Sequence, residues 1–301
     1  MDLCSVREVR ALLASHDLSP KKAFGQNFLI DPTVPERIAD GAADTVQDRP
    51  SAALEIGPGV GALTAELADR FDRVVAVEID RGLIPVLAET LADHDNVEVV
   101  EGDFLDLDLP AFFAEKFAGY DVAVCANLPY YVTTPIMMRF FDAFPASERL
   151  PVASLTFMVQ REVADRISST SDKGDYGAVA ASIALAARAD KLFNVSPGCF
   201  WPAPSVTSSV MRLTPHENGI RSVYPDAPAD DAECERFAAE VRRLIAAAFG
   251  QRRKTLANAL SGVYPKERAA AAIAGCGFRP DVRGEKLSAA DFCRLAAELA
   301  K

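Results

Sequence analysis

Between about residues 52 and 210 the chain alternates short apolar runs with amphipathic stretches. Strands buried on both faces read as continuous apolar runs, so this alternation predicts a doubly wound α/β sheet with helices on both sides. The runs place strands over 52–56, 73–77, 96–100, 122–126 and 154–159. Two later β-rich segments, 191–195 and 206–213, have no convincing helix between them and predict a closing antiparallel hairpin. Residues 214–231 carry three prolines, a glycine and a run of acids, the composition of a linker. Beyond it, 232–249, 252–261, 265–274 and 288–299 read as short alanine-rich helices, the last capped by Ser288 with Asp291 three residues on. The expected organisation is an α/β domain over 1–213, a linker over 214–231 and a small all-helical domain over 232–301.

Half of the 301 residues are hydrophobic, enough for one large core and a smaller second one. No apolar run approaches the roughly twenty residues of a membrane helix. The start, Met1-Asp2-Leu3-Cys4, lacks a basic segment followed by an apolar one, so a cytoplasmic location is expected. Cys4, Cys125, Cys199, Cys234, Cys276 and Cys293 form no close-spaced pair, and His16, His94 and His216 are scattered. Neither a disulfide framework nor a metal site is predicted.

The net charge of −11 argues against promiscuous nucleic-acid binding. The charge is uneven, however. Acids cluster at 226–231 with Glu233 and Glu235, whereas Arg242-Arg243, Arg252-Arg253-Lys254, Arg279, Arg283, Lys286 and Arg294 make the C-terminal part locally basic. Such a face can meet a phosphate backbone, with lower affinity and steeper salt dependence than a uniformly basic protein.

Leu54-Glu55-Ile56-Gly57-Pro58-Gly59-Val60-Gly61 ends the first strand and opens a helix, the place where an open α/β sheet takes a nucleotide-like ligand. Dinucleotide folds favour G-x-G-x-x-G, but Gly57, Gly59 and Gly61 fall at every second position behind an acid. That variant suits S-adenosylmethionine, whose amino-acid and ribose parts lie close to backbone that has no Cβ. The expected fold is thus a Rossmann-like class I S-adenosylmethionine-dependent methyltransferase sheet, although the same glycines could serve only a tight turn. Glu78, in Val77-Glu78-Ile79-Asp80, is placed to accept ribose hydroxyls, and Asp103, in Gly102-Asp103-Phe104, to accept the cofactor's adenine amine. Each acid alone could be a solvated strand cap. Together with the glycines they mark successive strand ends, and the next end carries Asn127-Leu128-Pro129-Tyr130.

An exocyclic amine of a base is a poor nucleophile because its lone pair is delocalised into the ring. The Asn127 side-chain oxygen and a nearby main-chain carbonyl are suited to accept its two N–H bonds, and Tyr130 to stack on the base. A strand-to-helix turn with a core tyrosine is the plainer alternative. Upstream, Lys21-Lys22-Ala23-Phe24-Gly25-Gln26-Asn27-Phe28-Leu29-Ile30-Asp31 reads as a loop before a helix start at Asp31-Pro32. It is either an ordinary arm with two solvated lysines or a lid, with Asn27 and Leu29 on the cofactor and Lys21 and Lys22 near RNA phosphate.

These motifs resemble those of the ribosomal RNA adenine N6,N6-dimethyltransferase family, the KsgA (RsmA) type. The resemblance spans nearly the whole chain and includes residues 24–29 and 55–61, Glu78-Ile79-Asp80, Gly102-Asp103, Asn127-Leu128-Pro129-Tyr130, residues 158–163, Tyr176-Gly177 and residues 197–202. In the helical part it includes 249–256 and 283–288. It implies transfer of four methyl groups from S-adenosylmethionine, two to each of two adjacent adenines in the 3′-terminal hairpin of 16S ribosomal RNA, in the immature 30S subunit. It also implies a role in subunit biogenesis.

By the same resemblance, Asn27, Leu29, Gly57, Glu78, Asp103 and Asn127 contact the cofactor. Asn127, Leu128, Pro129 and Tyr130 form the catalytic turn, and Phe200 clamps the flipped-out base opposite Tyr130; Phe200 as a plain core residue is the alternative. Lys21, Lys22, Arg252, Arg253 and Lys254 are the expected RNA contacts, and a monomer without metal is the expected state. Ala203 and Ala257 depart from the family pattern, the second removing one plausible phosphate contact. Two rival readings are the resistance-type enzyme acting on 23S ribosomal RNA and a non-catalytic 30S assembly factor. The 252–256 and 283–288 blocks favour the first reading over the resistance type, and the intact turn and glycine loop favour catalysis.

Overall fold

The computed structural model describes every residue except Lys22, Ala23, Asp48, Arg49, Asp172, Gly174 and Arg252. Among the described residues the strands are β1 (Phe28–Leu29), β2 (Ser51–Ile56), β3 (Arg73–Glu78), β4 (Val97–Glu101), β5 (Asp121–Asn127), β6 (Ser154–Gln160), β7 (Ala187–Val195), β8 (Phe200–Trp201) and β9 (Ser208–Pro215). The helices are α1 (Val6–Ser15), α2 (Thr33–Ala43), α3 (Ala62–Ala68), α4 (Ile84–Thr90), α5 (Leu109–Lys116), α6 (Tyr130–Ala143), α7 (Arg161–Ile167), α8 (Ala178–Ile183), α9 (Asp231–Gly250), α10 (Leu256–Leu260), α11 (Lys266–Gly275) and α12 (Ala289–Leu299).

The main sheet runs β4-β3-β2-β5-β6-β9-β7. The pairs β4/β3, β3/β2, β2/β5 and β5/β6 are parallel, and β9 lies antiparallel to β6. The expected parallel strands are thus all present. The two late segments do not form a simple hairpin, because between β7 and β9 the chain leaves the sheet to pair β8 with β1, Leu29 opposite Phe200 and Phe28 opposite Trp201. A two-residue strand 171 positions away from its partner has no local signature.

Helices α2 and α3 cover one face of the sheet, burying Ile38, Ala39, Leu63 and Leu67 against Ala53, Val74, Ala123 and Cys125. Helices α5 and α6 meet through the edge-to-face rings of Phe113 and Phe140, with Phe104 beside the latter. The start of α2 at Thr33 sits within two residues of the expected one, with Asp31 Oδ1 accepting from the Thr33 N–H at 3.1 Å and from its hydroxyl at 2.7 Å.

Two compact units emerge: Met1–Ala143, Pro151–Ala164 and Asp190–Thr214 form one, and Phe144–Leu150, Asp165–Ala189 and Pro215–Lys301 the other. The single boundary at 213/214 suggested by the pattern is therefore one of several passages between units. Tyr176, Ala180, Ala181 and Leu185 join the buried core of α9–α12, as does Ile220 from the turn Gly219–Ser222. Residues 215–231 are correspondingly packed rather than extended, with Arg221 donating to the Pro228 and Ala229 carbonyls and to Asp231. Prolines and acids signal irregular backbone locally, but they do not say whether an intervening isoleucine finds a core.

Helix α10 is shorter than expected, since Thr255 caps it and Leu256 N–H donates to the Val282 carbonyl at 2.7 Å. Helix α12 carries the reciprocal cap expected of Ser288 and Asp291: Asp291 N–H donates to Ser288 Oγ at 3.2 Å, and Ser288 N–H to Asp291 Oδ2 at 3.0 Å. Among the described residues no helix is long and apolar enough to cross a membrane. Ser288→Ala is expected to lower stability by about 1 kcal/mol, the usual worth of a helix cap, read by urea denaturation of the full chain.

Candidate active site

The parallel register aligns the carboxyl ends of β2, β3, β4 and β5. Ile56 pairs with Val77 and with Ala126, and Glu78 with Glu101, so the residues just beyond them share one edge of the sheet. Main-chain bonds fix the exits, Gly57 N–H to the Val77 carbonyl and Gly102 N–H to the Glu78 carbonyl, both at 2.9 Å. Around this edge lies a cleft, and its lining includes Asn27, Leu29, Gly57, Gly59, Glu78, Asp103, Asn127, Leu128, Pro129, Tyr130 and Phe200. The cleft belongs wholly to the first unit.

Gly57 and Gly59 have φ of 72° and 63°, and a Cβ would come within 3.3 Å of the Leu128 side chain at the first and of the Phe28 ring at the second. Only glycine holds that loop without strain. Gly61 does not line the cleft. It caps α3 at φ 94°, and a Cβ there would come within 3.1 Å of Thr90 and 3.2 Å of Leu91, so the structure shows it in packing rather than in the cleft lining.

Three acids line this cleft: Glu55, Glu78 and Asp103. Glu55 is fully buried, and its Oε2 has no hydrogen-bond partner. Burial, aided by the nearby Glu78 charge, pushes its carboxyl up to about 8. Burial also raises Glu78, against hydrogen bonds to its carboxylate from Asp80 N–H at 2.7 Å and Gly59 N–H at 3.3 Å. Asp103 accepts from Leu105 N–H through Oδ1 at 2.9 Å. An orphaned buried carboxylate oxygen, rim acids and a Cβ-free loop fit a cationic amino-acid group joined to a nucleoside.

The segment before α2 is tied to this cleft. Lys21 Nζ meets Asp80 Oδ1 at 2.6 Å, Gln26 Nε2 donates to Asp80 Oδ2 at 2.9 Å, and Gln26 Oε1 accepts from Lys21 N–H at 2.8 Å. Burial works to raise the Asp80 pKa, but the bonds from Lys21, Gln26 and Gly82 more than offset it, and the carboxyl lies below its ordinary value. Because the Asp80 N–H also donates to Glu78, the loop and this strand-end acid are one network. Lys21, expected at RNA phosphate, is instead committed to a buried carboxylate. A lysine next to a lysine looks like a solvated pair in sequence, and its partner lies 59 positions away.

At the end of β5, Asn127 Nδ2 faces the Asn27 carbonyl at 3.4 Å, which directs Oδ1 elsewhere as an acceptor. The Pro129 carbonyl accepts from Val132 N–H and the Thr133 hydroxyl, both at 3.1 Å, and Leu128 lines the cleft beside it. Tyr130 opens α6 with its phenol hydrogen-bonded to Ser208 at 2.8 Å, and burial raises its pKa. Phe200 lines the cleft and is also buried with Leu29 and Met158. Glu55, Gln26, Asp80 and Ser208 were not among the expected site residues. Glu55 stood beside the glycines as a visible signal, whereas the other three are revealed only by their partners.

Arg253 and Lys254 are exposed in the second unit, and Lys22 and Arg252 lie outside the described residues. The family model described as ribosomal RNA adenine dimethylase matches residues 18–301. The chain belongs to the ribosomal RNA adenine dimethylase family. It is 40% identical over 302 residues to the ribosomal RNA small subunit methyltransferase A of Alkaliphilus oremlandii, covering 99% of this chain and 98% of that one. To the protein of the same name from Lachnoclostridium phytofermentans it is 43% identical over 281 residues, covering 92% and 90%.

Among solved structures, the 23S rRNA methyltransferase ErmE is similar at a TM-score of 0.66 and 27% identity, over 91% of this chain and all of that one. A dimethyladenosine transferase from Plasmodium falciparum shares the fold at a TM-score of 0.68 and 21% identity, over 89% and 95%. The sheet is that of a class I methyltransferase, and this dimethylase uses S-adenosylmethionine as methyl donor.

The Glu55 carboxyl titrates near 4.5 in the unfolded chain and at about 8 when folded, so the folded dimethylase loses stability as pH rises through that window. Glu55→Gln is expected to abolish this loss; melting curves between about pH 5 and 9 that run parallel for the two proteins would contradict it. Asp80→Asn is expected to weaken S-adenosylmethionine binding about tenfold, the ~1.4 kcal/mol scale of one charge-assisted contact, as titration calorimetry would measure.

Proposed function

We propose that this dimethylase transfers methyl groups to the N6 amines of two adjacent adenines in the 3′-terminal hairpin of 16S ribosomal RNA, within the immature 30S subunit. The observation that carries the reading is the Asn127-Leu128-Pro129-Tyr130 turn lining the same cleft as the glycine loop and the strand-end acids. Support for the small subunit over the large comes from relatives named for it over nearly their full length and from the basic 252–254 and 283–286 blocks. A single chain suffices in this reading, because one unit builds the whole cleft. Subunit biogenesis in the cytoplasm is the corresponding biological setting, and Arg252, Arg253 and Lys254 are proposed phosphate contacts.

The bound S-adenosylmethionine supplies a methyl group on a positively charged sulfur. Gly57, Gly59, Asn27 and Leu29 would hold its amino-acid side and sulfur, Glu78 its ribose and Asp103 its adenine, while an arriving ammonium favours the ionised form of Glu55. Asn127 Oδ1 and the Leu128 carbonyl accept the two N–H bonds of the target amine, which localises its lone pair toward the methyl. Tyr130 and Phe200 take the flipped base between their faces, and electron-rich rings favour the charge that passes to it. No strong base is needed, since the amine's proton becomes acidic only as the new bond forms and water can receive it. The Tyr130 phenol, bonded to Ser208 and raised in pKa, is not that base.

Asn127→Ala is expected to lower kcat by about a hundredfold or more, the scale of one lost transition-state acceptor, with S-adenosylmethionine affinity within a few-fold. Labelled cofactor with undermethylated 30S and with 50S subunits as parallel substrates checks both halves: labelling of 50S RNA alone would overturn the choice of subunit. Rescue of 30S maturation in a deletion strain by Asn127→Ala, without methylation, would favour an assembly role.

A further inference from the structure

We infer that Ser208 is a positioning residue for the target base, its buried hydroxyl fixing the position of the Tyr130 ring; this rests on the proposed stacking role of Tyr130. Ser208 is completely buried at the start of β9, where its backbone pairs with Gln160 of β6. The preceding residue is also held, the Thr207 carbonyl accepting from Arg161 N–H at 3.0 Å. The Ser208 hydroxyl therefore sits on sheet that has no freedom to follow a moving ring.

Tyr130, by contrast, is only half-buried and is the first residue of α6. A ring presented to a cleft from there would sample several positions as its first side-chain torsion changes. The 2.8 Å bond between the Tyr130 hydroxyl and Ser208 Oγ ties the far tip of the ring to the sheet while the helix start holds its Cα. Tethered at both ends, the ring stays in the cleft lining with its hydroxyl satisfied within the sheet. The phenol is used up in this tether, so the ring contributes through its face and not by proton transfer.

The tether matters most for the second methylation of each adenine. A monomethylated amine, its lone pair restored by loss of a proton after the first transfer, must turn its methyl aside to aim that pair, and base position sets how far it can turn. A looser ring slows both transfers and the second more than the first.

The test uses the full chain on undermethylated 30S subunits with saturating S-adenosylmethionine, comparing Ser208→Ala, Tyr130→Phe and the double variant. Each single change is expected to lower kcat about fivefold, the worth of one net hydrogen bond, with KM for S-adenosylmethionine unchanged. The ratio of N6-monomethyl to N6,N6-dimethyl adenine in digested RNA is expected to rise. The double variant is expected to match the singles, because both remove the same bond. A double variant that loses the product of the two single effects, or a Tyr130→Phe protein with wild-type kcat and product ratio, would overturn the inference. Tyr130→Phe keeps the ring and deletes the bond from its exposed end, so it decides the matter if Ser208→Ala folds poorly. Should the wild-type chain label 50S instead of 30S subunits, the choice of substrate fails, while the same comparison on 50S still reads the tether.

Discussion

Everything at the cleft depends on the register of the parallel sheet. With Ile56 level with Val77 and Ala126, and Glu78 level with Glu101, four chains leave the sheet at one height and turn in the same direction. A slip of one residue in any of these pairs would turn its buried positions to the opposite face and carry its strand-end acid or amide out of the cleft. The apolar runs of β2, β3 and β5, buried on both faces, hold the register, and β4 joins them at the edge with its residues only partly buried. Chemistry-bearing residues are thus placed by side chains that take no part in the chemistry.

On that frame, the site's electrostatics are arranged in a graded way. Glu55, buried with one carboxylate oxygen unpartnered, favours its neutral form near neutrality, Glu78 is braced by two main-chain donors, and Asp80 is held ionised by Lys21 and Gln26. Three carboxyls close to the glycine loop therefore do not repel one another as three full charges. The ionised one anchors the N-terminal loop, and the neutral one keeps a free acceptor for a cation. The aromatic side of the site follows a similar economy of polar groups, the Tyr130 hydroxyl being satisfied by Ser208 within the sheet.

The parallel strands, the glycine loop, Glu78, Asp103 and the Asn127 turn were legible because each is a local pattern: an apolar run, then a residue at its end. The cap of α12 was legible for the same reason, with Ser288 and Asp291 three positions apart. Gly61 shows the limit. It shares the spacing of Gly57 and Gly59, yet its missing Cβ makes room for Thr90 and Leu91. Lys21 shows it again, since two adjacent lysines carry no hint of a carboxylate 59 positions on.

By itself the sequence determined the sheet, the order of the strand-end motifs and the family, because these rest on short-range periodicity and on residue types at fixed spacing. Only the tertiary structure decided which residues meet across long gaps. Leu29 pairs with Phe200, Lys21 with Asp80 and Tyr130 with Ser208, and Tyr176, Ala180, Ala181 and Leu185 join the core of the C-terminal helices. Such partnerships are chosen by competition among many apolar and polar surfaces as the chain closes on itself. No stretch of sequence contains both sides of that competition.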